Sequence, residues 1–223
     1  IIAHDGKAHQ DDFLATCVCI HKLNAPAFRK KVSDEELLDP ECWVLDQGRS
    51  FDKELHNFDH HQTEEEICAL TMVLDYFYGK DYRDYVPQLS YIEIHDSHGS
   101  SAAAKFAGTT PSVLDKASSM IQSFLLKSFS VIEGRVQDPW YSIMRGMGEQ
   151  LCQTIEDYPR MLESLDRSAQ ILYAGDTQVL DVTGCENHDR LPTKLWCKKR
   201  GISPSVILTS DPRSPGLYRM VSV

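Results

Sequence analysis

Histidine and aspartate form the most chemically loaded pattern in this chain. Eight of the nine histidines, His4, His9, His21, His56, His60, His61, His95 and His98, lie in the first 98 residues, and only His188 lies beyond. Several of them sit beside carboxylates, as His4-Asp5, His9-Gln10-Asp11-Asp12, Asp59-His60-His61 and His95-Asp96. Carboxylates suit hard cations and imidazole raises affinity for transition metals, so the combination is a ligand set for Mn²⁺, Zn²⁺ or Fe²⁺. A Mg²⁺ site uses fewer histidines. Two such ions held about 3.5 to 4 Å apart share a bridging carboxylate, activate a water and clamp the attacking and leaving oxygens of a phosphoryl centre.

The elements that must position these groups alternate between strand and helix. Residues 1–3 read as the end of a buried strand, and a helix with acidic residues in its first turn begins at Asp11. Residues 28–32 read as a second strand. Ser33 with Glu36 three positions on is a capping box opening a short helix. The apolar run 42–45 is a buried strand that carries Asp46 into a loop, and residues 67–78 and 85–95 are helical, with His95 and Asp96 at the end of the second. Further helices are expected from Pro111 to about 133 and from Pro139 to about 165. Strands at 169–173 and 178–182, a helix at 194–200 and strands at 206–209 and 217–223 close the chain. Alternation of this kind predicts an α/β fold with a parallel sheet, and loops beyond the carboxyl ends of parallel strands converge on one crevice. The expected division is residues 1–115, an α/β metal-binding domain, and residues 116–223, a helical connector with a smaller α+β domain. Three or four acidic and imidazole loops sharing one crevice would repel one another unless cations sat between them.

Composition is that of a globular protein able to bury a core, with 223 residues, 42% hydrophobic and 25% charged. Lys and Arg number 23 against 33 Asp and Glu, a formal charge of −10, which leaves no overall footprint for duplex nucleic acid or acidic lipid. The seven cysteines include no CxxC pair and several lie in apolar runs, so they read as reduced thiols and small core residues. That reading places the chain in a reducing compartment, cytoplasm or nucleus, or in a mitochondrion if a targeting segment precedes Ile1. No run is long enough for a membrane span.

The blocks His4-Asp5-Gly6-Lys7-Ala8-His9-Gln10-Asp11-Asp12, Val44-Leu45-Asp46-Gln47-Gly48, Phe58-Asp59-His60-His61-Gln62 and His95-Asp96-Ser97 resemble, in order and spacing, the MYG1 (UPF0160) family of the DHH phosphoesterase superfamily. The resemblance covers the first 100 residues or so. It implies a doubly wound parallel sheet joined by helices to a smaller C-terminal α+β domain. It also implies a dinuclear centre preferring Mn²⁺, with Mg²⁺, Zn²⁺ or Fe²⁺ as alternatives, and 3′→5′ exonuclease activity on RNA. Carried over by motif, His4 and His9 with Asp46 would hold one metal, and Asp11, Asp46, His60 and Asp96 the other, with Asp46 bridging. His61 would face substrate and join Asp46 in catalysis, while Asp59 and Asp12 would orient the ligands from behind.

Outside these blocks the readings stay paired. His98 either touches substrate or is a loop residue, and His56 either supports Asp59 or is solvated. Lys198 and Lys199, in a basic cluster with Lys194 and Arg200, either grip phosphates beside a base stacked on Trp196 or line a solvated helix with Trp196 in the core. Arg213 is a turn residue that could reach the cleft. The competing functions are a phosphohydrolase acting on pyrophosphate, polyphosphate or a nucleotide, and a catalytically idle metal-binding or RNA-binding module. The expected partners are RNA or another phosphate-containing substrate and, in some form, further copies of the chain, with no membrane.

Overall fold

The structure, a computed structural model, describes residues 1–84, 86, 88–117, 120–131, 133–134, 138–186, 191–211, 213–214 and 216–222. Tyr85, His188 and Val223, each part of the sequence reading, lie outside the described residues. The chain divides into two compact units, Ile1–Cys152 and Gln153–Val223.

The first unit is built on a six-stranded sheet. Its strands are β1 (Ile2–Ala3), β2 (Ala27–Arg29), β3 (Val44–Leu45), β4 (Phe51–Asp52), β5 (Asn57–Phe58) and β6 (Glu133–Gly134), in the order β4-β5-β3-β1-β2-β6. The four central strands, β5, β3, β1 and β2, pair in parallel, and the edge strands β4 and β6 are antiparallel. Parallel strands are covered on both faces, and Ile2, Ala3, Val44, Leu45 and Phe58 are accordingly buried. The hairpin of β4 and β5 is not expected from the sequence, because two-residue strands are too short to show a period of two.

Helix α1 (Gln10–Leu23) follows β1 and is buried almost all round, with Phe13, Cys17, Val18, Cys19 and Ile20 in the core. The short α2 (Asp34–Leu37) has the expected capping box, Ser33 Oγ accepting the Glu36 N–H and Glu36 Oε2 accepting the Ser33 N–H. Helices α3 (Ala69–Tyr78), α4 (Gln88–Phe106), α5 (Pro111–Ala117) and α6 (Met120–Phe129) complete this unit with the first part of α7 (Pro139–Ser168). Contacts of α1 with α3, α4 and α6 form the core beneath the site. Gly148 of α7 lies against α1 so closely that an added Cβ would collide with the Cys17 carbonyl, which explains a glycine in mid-helix.

Two expectations need correcting. Helix α4 does not stop at Asp96. It breaks at Gly99, where φ is 79° and ψ 176°, and then continues to Phe106, since the alanines at 102–104 favour helix and Ala103 and Ala104 are buried. The stretch expected as one helix from Pro111 to about 133 is instead α5, α6 and the edge strand β6, whose pairing with β2 claims the end of the segment.

The second unit contains the end of α7, strands β7 (Gln170–Ala174), β8 (Thr177–Asp181), β9 (Val206–Ser210) and β10 (Tyr218–Ser222), and helix α8 (Thr193–Arg200). The sheet order is β10-β9-β8-β7. Strands β7 and β8 form a hairpin turning at Gly175-Asp176, while β8 and β9, linked through α8, are parallel. Leu165, Leu180, Val182, Cys185, Trp196 and Cys197 make its core. None of the seven cysteines is in a disulfide, and no helix among the described residues is long and apolar enough to cross a membrane.

Candidate metal centre

The carboxyl ends of the four parallel strands deliver the chemistry. β1 ends at Ala3 and releases His4, β3 ends at Leu45 and releases Asp46, β5 ends at Phe58 and releases Asp59-His60-His61, and β2 ends on Arg29 itself. Strand pairing extends one residue further on two of them, with the His4 N–H donating to Leu45 O at 3.1 Å and the Asp46 N–H to Phe58 O at 3.0 Å. Asp46 then turns into the left-handed region at φ 58°, a conformation that non-glycine residues seldom adopt and that collects at functional sites. Asp11 and Asp12 come from the first turn of α1, where the helix dipole favours negative charge. Asp96 comes from α4.

One carboxylate oxygen each from Asp11, Asp46 and Asp96 and one ring nitrogen of His60 lie within 4.8 Å of one another. Asp46 belongs to two further groups within the same distance, each of three residues, with His60 and His61 and with His4 and Asp12. The main set is buried, Asp11 being 1% exposed, Asp46 2% and His60 7%. His60 Nε2 stands 2.8 Å from Asp96 Oδ2 and 3.4 Å from Asp46 Oδ1. Yet both oxygens of Asp11, Asp46 Oδ1, Asp96 Oδ2 and His60 Nε2 are buried without an aligned hydrogen-bond partner. Leaving such a group unpaired costs roughly 1 to 3 kcal/mol each, more when charged. Five converging orphans therefore fit a cation, which would engage them together.

The proton equilibria express the same crowding. Burial, followed by the charges of Asp46, Asp96 and Asp12, pushes the Asp11 carboxyl well above its ordinary value. Burial opposes an imidazolium at His60, but the adjacent Asp46 and Asp96 outweigh it and raise its pKa to about 10. Without a cation, protons take the place of positive charge in this cluster.

The surrounding contacts hold the ligands in place. Asp12, fully buried, accepts the His9 N–H on one oxygen at 2.9 Å and faces Arg29 Nη1 at 2.5 Å on the other. Burial nonetheless pushes the Asp12 carboxyl up, the Arg29 guanidinium offsetting only part of it. Arg29 also donates to Gly6 O at 3.0 Å and lies 4.4 Å from the Phe129 ring centroid. Asp59 accepts the His61 N–H at 3.0 Å and the Arg49 N–H at 2.5 Å, and its Oδ1 is 2.6 Å from His61 Nδ1. Although burial opposes its charge, these bonds hold the Asp59 carboxyl below its ordinary value. The His61 ring is thereby oriented while half of it stays in solvent. His4 Nδ1 accepts the Gly6 N–H at 3.2 Å, an approach that only glycine allows because an added Cβ would strike the imidazole.

The remaining sequence candidates are placed differently. His9 is exposed, with Nδ1 3.7 Å from Asp96 Oδ1, and falls outside the three sets. His98 is exposed, its Nδ1 2.8 Å from Ser97 Oγ. His56 stacks on Trp43 at 4.3 Å and contacts Pro40 O and the Tyr76 hydroxyl, so it belongs to an aromatic cluster. Lys198, Lys199 and Arg213 are exposed in the second unit. Trp196 there is core, 6% exposed, with its Nε1 donating to Asp166 at 2.6 Å. Sequence reasoning missed Arg29, taken only as part of a strand. Its one signal is a cation at the carboxyl end of a buried strand. It also missed the Arg49 N–H and the cleft residues Gln10, Tyr91 and Gln122, which carry no sequence signal.

Fold and site together define an α/β protein with a cluster of aspartates and histidine at the carboxyl ends of its parallel strands that could hold a metal ion. Residues 1–71, about a third of the chain, match the model of MYG1_exonuc, the uncharacterised protein family UPF0160. The matched segment includes every candidate ligand released at a strand end but not Asp96. Neither curated proteins nor solved structures give a match.

Proposed function

We propose that the chain is a metal-dependent phosphoesterase acting as a 3′→5′ exonuclease on RNA, with two divalent cations, Mn²⁺ preferred, in this cleft. The observation that carries the reading is the set of buried, unpartnered atoms of Asp11, Asp46, His60 and Asp96, within and beside a segment that matches a family whose name denotes an exonuclease. Asp11, Asp46, His60 and Asp96 would hold one cation. His4 and His9 with Asp46 would hold the second, Asp46 being shared between the two. Bound cations would supply Lewis acidity, lowering the pKa of water and neutralising charge that develops on the phosphoryl oxygens.

The chain's own groups do the rest. His61, held through Nδ1 by Asp59 and half-exposed, would move a proton to or from a substrate oxygen. Asp12, neutralised in part by Arg29, buttresses the first turn of α1 and so the position of Asp11. His98, Lys198, Lys199 and Arg213 are proposed substrate contacts. The doubly wound, DHH-like arrangement of the sheet belongs to the same reading.

The test combines Mn²⁺ titration by calorimetry with digestion of a short 5′-labelled RNA beside pyrophosphate. The expected result is stoichiometric Mn²⁺ binding and laddering from the 3′ end, both lost in Asp46→Ala while circular dichroism is unchanged. Turnover of pyrophosphate alone would replace RNA with a small-molecule substrate, and metal binding without hydrolysis of either would make the site an idle module. Normal Mn²⁺-dependent turnover by Asp46→Ala would overturn the metal mechanism.

A further inference from the structure

Beside Asp11 and Asp96 the first unit opens into a cleft of about 390 Å³, bounded by the start of α1, by α4 and by α6. This volume lies in the usual range of roughly 300 to 1,000 Å³ for small-molecule sites. A phosphate needs only the carboxylate end, where cations would meet it, so most of the cleft is left for some other part of a ligand. Tyr91 and His95, one helical turn apart on α4, line one wall with ring centroids 6.0 Å apart. Ile92 and Leu126 add apolar surface. On the other side Gln122 Nε2 donates to Gln10 Oε1 at 3.3 Å, a contact that joins α6 to α1 and sets two carboxamides against the cleft.

We propose that this cleft is the pocket for the terminal nucleobase, stacked on Tyr91 and His95 with its polar edge toward Gln10 and Gln122. The inference rests on the phosphoesterase reading and adds what the substrate carries beyond its phosphate. A planar, uncharged, aromatic group with donors and acceptors on its rim matches rings along one wall and carboxamides along the other, since a carboxamide supplies one donor group and one acceptor in the spacing of a base edge. Stacking tolerates any base, whereas the amides impose a preference among them. A chain of net charge −10 gains little from long-range attraction to RNA, so short-range contacts at the terminal nucleotide carry a large share of recognition.

Equilibrium binding to the Mn²⁺-loaded full chain tests this, with adenosine monophosphate, ribose 5-phosphate and inorganic phosphate as ligands. Adenosine monophosphate is expected to bind about ten-fold tighter than ribose 5-phosphate, the gain of one stacked base. Tyr91→Ala removes the difference and Tyr91→Phe keeps it, while Mn²⁺ affinity and ribose 5-phosphate affinity stay at wild-type levels in both. Equal binding of adenosine monophosphate and ribose 5-phosphate by the wild type would overturn the base pocket and leave the phosphoesterase reading standing. A difference that survives in Tyr91→Ala would also overturn it. If no phosphate ligand binds with Mn²⁺ present, the phosphoesterase reading itself fails and the pocket with it.

Discussion

The two units use burial in opposite ways. In the second, the core is apolar, and polar groups at its edge have partners: Trp196 Nε1 and Arg200 both reach Asp166, and Ser164 Oγ accepts the Glu186 N–H at 3.0 Å. In the first, three carboxylates and an imidazole are buried against one another without aligned partners. Among the described residues, every buried side-chain polar atom lacking a hydrogen bond belongs to the first 96 residues. A core that satisfies itself is complete without a ligand, whereas one that buries like charges gains stability by binding a counter-ion. Buried polar atoms without aligned hydrogen bonds thus mark the candidate site more sharply than the sheet does.

That contrast can be broken most severely at Arg29. Arg29→Met strands the Asp12 carboxylate in the first unit and is expected to destabilise the protein by about 3 to 5 kcal/mol in denaturant unfolding. Adding Asp12→Asn should restore much of the loss, because the stranded charge is gone. An equal loss in the double variant would mean that packing on Phe129, not charge, holds the pair.

Leu180→Ala sharpens the comparison from the other side. Leu180 is fully buried in the apolar core of the second unit, and its truncation should cost about 2 to 5 kcal/mol while Mn²⁺ affinity, read by calorimetry, stays unchanged. A fall in affinity would show that the metal centre depends on the second unit's core.

The pH dependence of the metal-free protein separates the units next. His60, raised in the folded state to about 10 from an ordinary 6.5, contributes stability that is full below pH 6.5 and is lost as pH rises through about 10. Asp11, also raised, acts in the same direction. Unfolding free energy should therefore decline between pH 6.5 and 8.5, with a slope of up to about 1.4 kcal/mol per pH unit for one proton. His60→Gln should flatten the slope, and saturating Mn²⁺ should reverse it, since a cation displaces these protons. A metal-free profile that rises over this window would contradict the charge cluster.

The smallest effect belongs to the satisfied side. Asp166→Asn weakens a half-exposed pair with Arg200 and should cost about 1 kcal/mol or less, with no change in metal binding.

Much of the site could be read in the sequence, because strand ends, caps and helix starts are local signals. The run at 42–45 announces a strand delivering Asp46, Ser33 with Glu36 announces a cap, and acidic residues at 11 and 12 announce a helix start. Less local features were hidden. Asp96 was expected at a helix end, but it lies inside a helix that resumes after Gly99. His9, expected as a ligand, and Asp12, expected behind the ligands, part company in the structure, one exposed and the other sealed against Arg29. Trp196 could be read as a stacking surface or a core residue, and packing made it core.

Residue type and order thus determined which groups could bind a cation and which strand or helix would carry each, since both follow from short-range preference and pattern. Which of them meet, and which of them lose water, was decided only by the parallel pairing of β5, β3, β1 and β2 with α1 and α4 across their ends. Coordination needs atoms within a few ångströms, and the residues that meet here, from Asp11 to Asp96, are brought that close by long-range packing alone.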